Sequence, residues 1–168
     1  MENKPTKRES AGLLMYRIIN GSLEVLLIHP GGPFFKNKDL GVWSLPKGEP
    51  DENDGDLLKT AIREFEEETG INPEIKDYIP LGTIIQRGGK TVHAWAFEGN
   101  IDDNYTLKSN TFKTEWPPNT GKWMLFPEVD RIGFFKTDEA KKKIKDRQAA
   151  FIDRLEEHLE QLRMTNDE

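Results

Sequence analysis

The chain of 168 residues contains no cysteine, which excludes disulfides and thiolate metal sites and makes a reducing cytoplasm the expected compartment. It has no apolar run approaching the roughly 18 residues needed to cross a bilayer, so no membrane partner is expected. The opening MENKPTKRES lacks the apolar stretch of a secretory leader. Positive charge is in deficit: 24 Lys and Arg against 30 Asp and Glu leave a net charge of -6. A long nucleic-acid duplex, itself a dense polyanion, is therefore not an expected partner. A small anionic substrate remains open, because a bound cation and a few local lysines or arginines reverse the field inside a cleft. With three histidines and no thiol, the usual zinc ligands are scarce.

What remains is 35% hydrophobic and 32% charged, the balance of a globular protein, and the length suits one domain spanning residues 1–168. Residues 1–10 read as a flexible arm. Gly12 to Ile19 and Leu23 to His29 are apolar, strand-like runs joined by Asn20-Gly21, a dipeptide suited to tight hairpin turns. Pro30-Gly31-Gly32-Pro33 opens a loop, and the short apolar piece Val42 to Leu45 ends at Pro46-Lys47-Gly48. Asp56 to Thr69 reads as a helix, with Gly70 where a left-handed C-cap belongs. Strands are expected at Tyr78 to Gln86, Thr91 to Phe97 and Lys122 to Phe126, with Arg131 to Phe135 extending the sheet. Gly99 to Gly121 reads as a long irregular connection. Helices at Asp138 to Ile144 and Arg147 to Arg163 finish the chain, the second with an apolar stripe of Ala150, Phe151, Leu155, Leu159 and Leu162. Lys141-Lys142-Lys143 is read as a solvated helix face, with phosphate contact as the alternative.

The first helix carries more chemistry. Leu58, Ala61, Ile62 and Phe65 recur at spacings of three and four and form a stripe that can bury itself on a sheet. Glu64, Glu67 and Glu68 then share a neighbouring face. Like charges at this spacing repel by a few tenths of a kcal/mol, so the cluster disfavours an isolated helix. A hard divalent cation with oxygen ligands would relieve that repulsion; a solvated acidic face is the plain alternative.

Arg63-Glu64-Phe65-Glu66-Glu67-Glu68-Thr69-Gly70-Ile71 resembles the second half of the Nudix box, and Leu45-Pro46-Lys47-Gly48 resembles its beginning. The resemblance extends through the hairpin ahead of the box and the helix after Phe135. One departure stands out. Arg63 follows Gly48 by fifteen positions where the family pattern has fourteen, so the box loop is one residue longer. Asp54 or Asp56 could stand in for the first glutamate of the box or cap the helix, and capping is the favoured reading.

The resemblance implies an α/β/α sandwich with a mixed β-sheet and a Mg2+- or Mn2+-dependent pyrophosphohydrolase. Carried over residue by residue, it makes Glu64, Glu67, Glu68 and the Gly48 carbonyl metal ligands. The cation would neutralise phosphate oxygens and lower the pKa of the attacking water. A further acidic residue is expected from Glu98, Glu115 or Glu128. Glu128 is preferred as ligand and catalytic group, because Pro127-Glu128-Val129-Asp130 resembles the stretch that supplies this residue in Nudix RNA pyrophosphohydrolases. Glu64 and Glu67 are the other catalytic candidates. Lys47 and Arg63 are the substrate-binding candidates, with an orienting role for Arg63 preferred over direct contact.

The expected partner is a nucleoside diphosphate linked to another group, with the resemblance leaning towards diadenosine polyphosphates or RNA ends. Phe34, Phe35, Tyr105, Phe112 and Trp116 fall on expected loops, where aromatics stack on bases or simply pack. Arg87, Lys90 and His93 could line a phosphate path or serve solubility. A non-catalytic nucleotide or nucleotide-sugar sensor is the alternative function, since fold does not fix activity. The diphosphate isomerase chemistry of a related scaffold needs a cysteine that this chain lacks. Pairing into a homodimer is left open by the sequence.

Overall fold

The computed structural model describes residues 8–73 and 77–166. Eight strands and three helices follow one another as β1 (Glu9–Ile19), β2 (Ser22–Pro30), β3 (Lys47–Gly48), α1 (Leu57–Thr69), β4 (Ile79–Ile85), β5 (Thr91–Glu98), β6 (Thr111–Glu115), β7 (Trp123–Pro127), β8 (Val129–Lys136), α2 (Thr137–Lys143) and α3 (Ala149–Asn166), with a 3-10 turn at Asp146–Gln148 before α3. The main sheet runs β4-β5-β1-β2-β8, with β3 pairing a second part of β1. Among the described residues only the strand pair β1 and β5 is parallel, so the sheet is mixed.

β1 explains the layering. Strand side chains alternate between faces, and both faces of β1 are covered. Leu13 and Met15 join Leu26, Ala61, Phe65 and Phe97 in the core beneath α1. Leu14 and Tyr16 face the opposite core, with Val25, Leu27, Ile144, Phe151, Ile152 and Leu155. A strand buried on both sides reads as a continuous apolar run, which is what Gly12-Leu13-Leu14-Met15-Tyr16 shows in sequence. The outcome is the expected α/β/α sandwich: α1 on one face, α2 and α3 on the other. Among the described residues no helix is long and apolar enough to cross a membrane.

Several sequence expectations change. The expected arm covers residues 1–10, but Glu9 and Ser10 already belong to β1, while residues 1–7 lie outside the described residues. The short apolar piece Val42 to Leu45 makes isolated bridges, Ile28 with Ser44 and Trp43 with Ile144, and leads into the two-residue strand Lys47–Gly48, which has no counterpart among the sequence expectations. The connection expected to be irregular from Gly99 to Gly121 contains β6, which pairs antiparallel with β7 in a separate two-stranded sheet. That strand was hidden because four of its five residues, Thr111, Lys113, Thr114 and Glu115, are polar and leave no apolar alternation to read. Phe112 accordingly sits on a strand rather than a loop.

Candidate active site

The site begins with the two ends of α1. At its N-terminus the Asp56 side chain accepts a hydrogen bond from Lys59 N at 2.8 Å, and at its C-terminus Gly70 adopts φ 73°. The Tyr105 hydroxyl donates to the Thr69 carbonyl in the last turn, which satisfies a group that helix ends leave orphaned. The apolar stripe seats the helix on β1, so the polar face of α1 is turned toward β3.

Asp54 does not cap the helix. It is buried at 8% exposure and accepts from Arg63 Nε at 2.8 Å, Arg63 Nη2 at 3.0 Å, Thr60 Oγ1 at 2.8 Å and Asp51 N at 2.8 Å. The guanidinium and these further donors hold its carboxyl far below the usual carboxylate range. Of the two aspartates in the lengthened loop, Asp56 caps and Asp54 clamps. Arg63 spends its remaining donors within the protein: Nη1 reaches Glu64 Oε1 at 2.9 Å and Glu67 Oε1 at 3.2 Å, and Nη2 reaches the Glu49 carbonyl at 3.0 Å.

Glu64 packs against Gly48, where an added Cβ would lie 2.1 Å from the Glu64 carboxyl carbon. Only glycine permits that approach, and it brings the carboxylate up to the backbone of β3. Glu68 sits deeper, its Oε2 accepting from Lys47 N at 3.2 Å. Burial first, then the neighbouring Glu64, pushes its carboxyl up to about 8, with Glu128 adding to the effect. Glu64 is raised for the same first reason, partly opposed by Arg63. Glu67 is the most open of the three, its side chain 42% exposed. Burial, followed by Lys145 and Lys90, lowers the Lys47 ammonium to about 8.

Glu128 comes from the corner between β7 and β8. Glu128 N donates to the Asn110 carbonyl at 2.8 Å, Gly31 N donates to the Glu128 carbonyl at 2.9 Å, and Val129 N donates to Ser109 Oγ at 3.0 Å. A Cβ on Gly31 would lie 1.9 Å from the Pro127 carbonyl oxygen, so the loop and the corner meet only through glycine. Behind them His29, fully buried, bridges Asp130 Oδ1 and the Lys38 carbonyl, each at 2.7 Å. Glu128, Glu68, Lys47 and Lys145 line one cleft of about 160 Å³. The other acidic candidates lie elsewhere. Glu98 pairs with Tyr16, five residues along β1 from the Ala11–Gly48 pair and about 16 Å away at the strand rise. Glu115 sits opposite Trp123 on the separate ribbon.

A cation fits this donor set in kind: the ligating atoms are hard oxygens, and Glu64 and Glu128 both add to the upward push on the Glu68 carboxyl. Among the described residues no three His, Asp or Glu side chains are already drawn close enough to enclose an ion, since Glu64 and Glu67 turn onto Arg63. Of the phosphate-path candidates, Arg87 pairs with Asp146 at 2.7 Å, Lys90 with Glu49 at 3.0 Å, and His93 lies 3.2 Å from Glu9. Phe34 and Trp116 pack edge to face at 5.3 Å, and Phe112 and Phe126 are 6.2 Å apart, so these aromatics are engaged with each other. Phe35 remains a loop residue at 36% exposure. Sequence reasoning missed Gly31, Lys145 and the clamp made by Asp54. None belongs to a recognisable local pattern, because each acts through a residue distant in the chain.

The chain resembles known proteins at several levels. A segment of 61 residues, 36% of the chain, is 56% identical to an mRNA-decapping protein of African swine fever virus, and spans 23% of that viral protein. The fold matches a C. elegans Ap4A hydrolase binary complex with a TM-score of 0.63 and 24% identity, over 90% of this chain and 97% of that one. It also matches the NUDIX domain of Shewanella oneidensis NrtR complexed with ADP ribose, with a TM-score of 0.65 and 18% identity, over 93% of this chain and 90% of that one. The family model described as the NUDIX domain covers residues 8–155. That match spans most of the length, and the chain belongs to the Nudix family.

Proposed function

We propose that this chain is a divalent-cation-dependent hydrolase cutting the diphosphate linkage of a nucleoside diphosphate joined to a further group, with dinucleoside polyphosphates or capped RNA ends as the substrate class. The observation that carries this reading is the gathering of acidic side chains at one cleft: Glu68 and Glu128 line it beside Lys47, and burial followed by Glu64 raises Glu68 to about 8. Nudix enzymes generally use divalent metals, and Mg2+ or Mn2+ suits oxygen ligands. Glu64, Glu67, Glu68, Glu128 and the Gly48 carbonyl would hold it. When bound, it supplies charge neutralisation at the phosphate oxygens and a lowered pKa for the attacking water.

The chain's own groups do the rest. The Lys47 ammonium faces the same cleft and offers a point charge to a phosphate oxygen. Arg63 keeps Glu64 and Glu67 in orientation and is not itself a substrate contact. We assign the acceptance of the water proton to a carboxylate oxygen of Glu128, which is carried by a different element from the α1 glutamates. The likeness to a viral decapping protein and to an Ap4A hydrolase supports a substrate in which the diphosphate joins large groups.

The test is a hydrolysis screen with Mg2+ or Mn2+ across diadenosine polyphosphates, nucleoside triphosphates, nucleotide sugars and capped or 5′-triphosphorylated RNA, with products identified by mass. Metal-dependent cleavage of one class is expected. Tight binding without cleavage across the panel would replace the hydrolase with a nucleotide sensor.

A further inference from the structure

The cleft that holds Glu68 and Glu128 measures about 160 Å³, well below the roughly 300–1,000 Å³ of sites that enclose a small-molecule ligand. A nucleotide-sized substrate must therefore extend out of it. Lys145, on one wall of the cleft, is also on the wall of the neighbouring cavity of about 580 Å³. That cavity lies between the β4–β5 hairpin and the turn that links α2 to α3. Five cations line it against a single acid, in a chain whose net charge is -6.

Two of the five are spoken for: Arg87 pairs with Asp146, and Lys141 pairs with Asp153 and Glu156. Lys142, Lys145 and Arg147 are exposed, and none of the three is in an ion pair among the described residues. The frame beneath them is fixed. Lys145 N donates to the Trp43 carbonyl at 2.9 Å, and Gly41 N donates to the Lys142 carbonyl at 3.1 Å. Fully buried Gln148 accepts from Leu45 N at 3.1 Å and donates to Gln86 Oε1 at 3.0 Å, tying the cleft wall to the hairpin that bounds the cavity. No aromatic side chain lines the cavity, so it offers nothing for a base to stack on.

We propose that this basic cavity is a second phosphate-binding site that receives substrate phosphates lying beyond the scissile diphosphate. Lys142, Lys145 and Arg147 are its contacts, and the preferred substrates carry an extended phosphate chain. The assignment of the bound phosphates to a substrate rests on the hydrolase reading above; the anion site itself does not. The phosphates belong either to a long polyphosphate bridge or to the phosphodiester backbone of an RNA end.

The experiment compares the wild-type chain with the Lys142→Gln/Arg147→Gln double variant, whose positions are exposed. Binding of inorganic tripolyphosphate and of a fluorescein-labelled 5′-triphosphorylated RNA decamer is measured without divalent cation at several salt concentrations. The double variant should bind more weakly by roughly tenfold or more, with a shallower salt dependence, because two released-counterion contacts are lost. Tighter wild-type binding of tripolyphosphate identifies the polyphosphate source, and tighter binding of the decamer identifies the phosphodiester source. Equal affinity of variant and wild type for both probes would overturn the proposal. So would an unchanged ratio of kcat/KM for a diadenosine polyphosphate over a two-phosphate nucleotide sugar, a result that leaves the hydrolase reading intact. Absence of any cleavage, with binding still lost in the double variant, would overturn the hydrolase reading and leave the anion site standing.

Discussion

Asp54 and Glu68 are two acidic residues at opposite ends of one short segment, both turned away from solvent, and they meet opposite electrostatic surroundings. Around Asp54 the protein supplies an arginine, a threonine hydroxyl and a backbone amide, and the carboxyl is held strongly acidic. Around Glu68, burial and then Glu64, with a smaller push from Glu128, drive the carboxyl up to about 8 against one amide at 3.2 Å and the nearby Lys47 ammonium. Burial is common to both, so the difference lies in what the fold places alongside. A buried charge that is paired contributes to the architecture, whereas a buried charge left unpaired is costly and marks the place where a ligand supplies the missing partner.

The sharpest way to break this contrast is Glu68→Gln, which keeps the shape and removes the ionisable carboxyl. Turnover should fall by roughly 10²- to 10³-fold, about 3–4 kcal/mol of barrier, and steady-state rates on the cleaved substrate give the answer. Glu128→Gln should slow turnover by about 10²-fold, the usual worth of a positioned general base. A wild-type rate would remove Glu128 as proton acceptor and leave that role to the α1 glutamates. Asp54→Asn attacks the paired side of the comparison: it should lower unfolding stability by about 1–3 kcal/mol and slow turnover by roughly 10- to 100-fold as Arg63 loosens its hold on Glu64 and Glu67. Denaturant titration and rate measurements on one preparation separate these two effects. Asp56→Ala should cost only about 1 kcal/mol of stability through the lost cap and leave kcat unchanged. A large loss of kcat there would erase the distinction between the two loop aspartates.

The extent to which the sequence revealed this arrangement follows from the range of the interactions. The box helix was legible to within a residue because its apolar stripe, cap and C-terminal glycine are all local. β1 and β2 were legible because both are long and buried. Glu128 shares a cleft with Glu68; motif resemblance, and not periodicity, is what singles it out in the sequence. β6 was invisible, since Thr111, Lys113, Thr114 and Glu115 surround a single apolar residue and leave no period to read. The division of labour between Asp54 and Asp56 was equally hidden, because two aspartates in a flexible-looking loop are indistinguishable until Arg63 selects one. Lys145 was overlooked for a similar reason: only the turn after α2 brings it to the cleft holding Glu68, which lies 77 positions earlier in the chain.

The most direct test of the central claim is the pH dependence of thermal unfolding for wild type and Glu68→Gln, measured with and without Mg2+. A carboxyl raised from 4.5 to about 8 on folding favours the folded state fully below 4.5, and that advantage is lost as pH rises toward 8. Asp54, lowered on folding, gives stability that is present above 3.8 and lost as pH falls below it. Metal-free wild type should therefore be most stable near pH 4 to 5 and lose on the order of a few kcal/mol by pH 8. Mg2+ should restore much of that loss, and Glu68→Gln should show neither the loss nor the full restoration. Identical pH profiles and identical responses to Mg2+ in the two proteins would contradict the account.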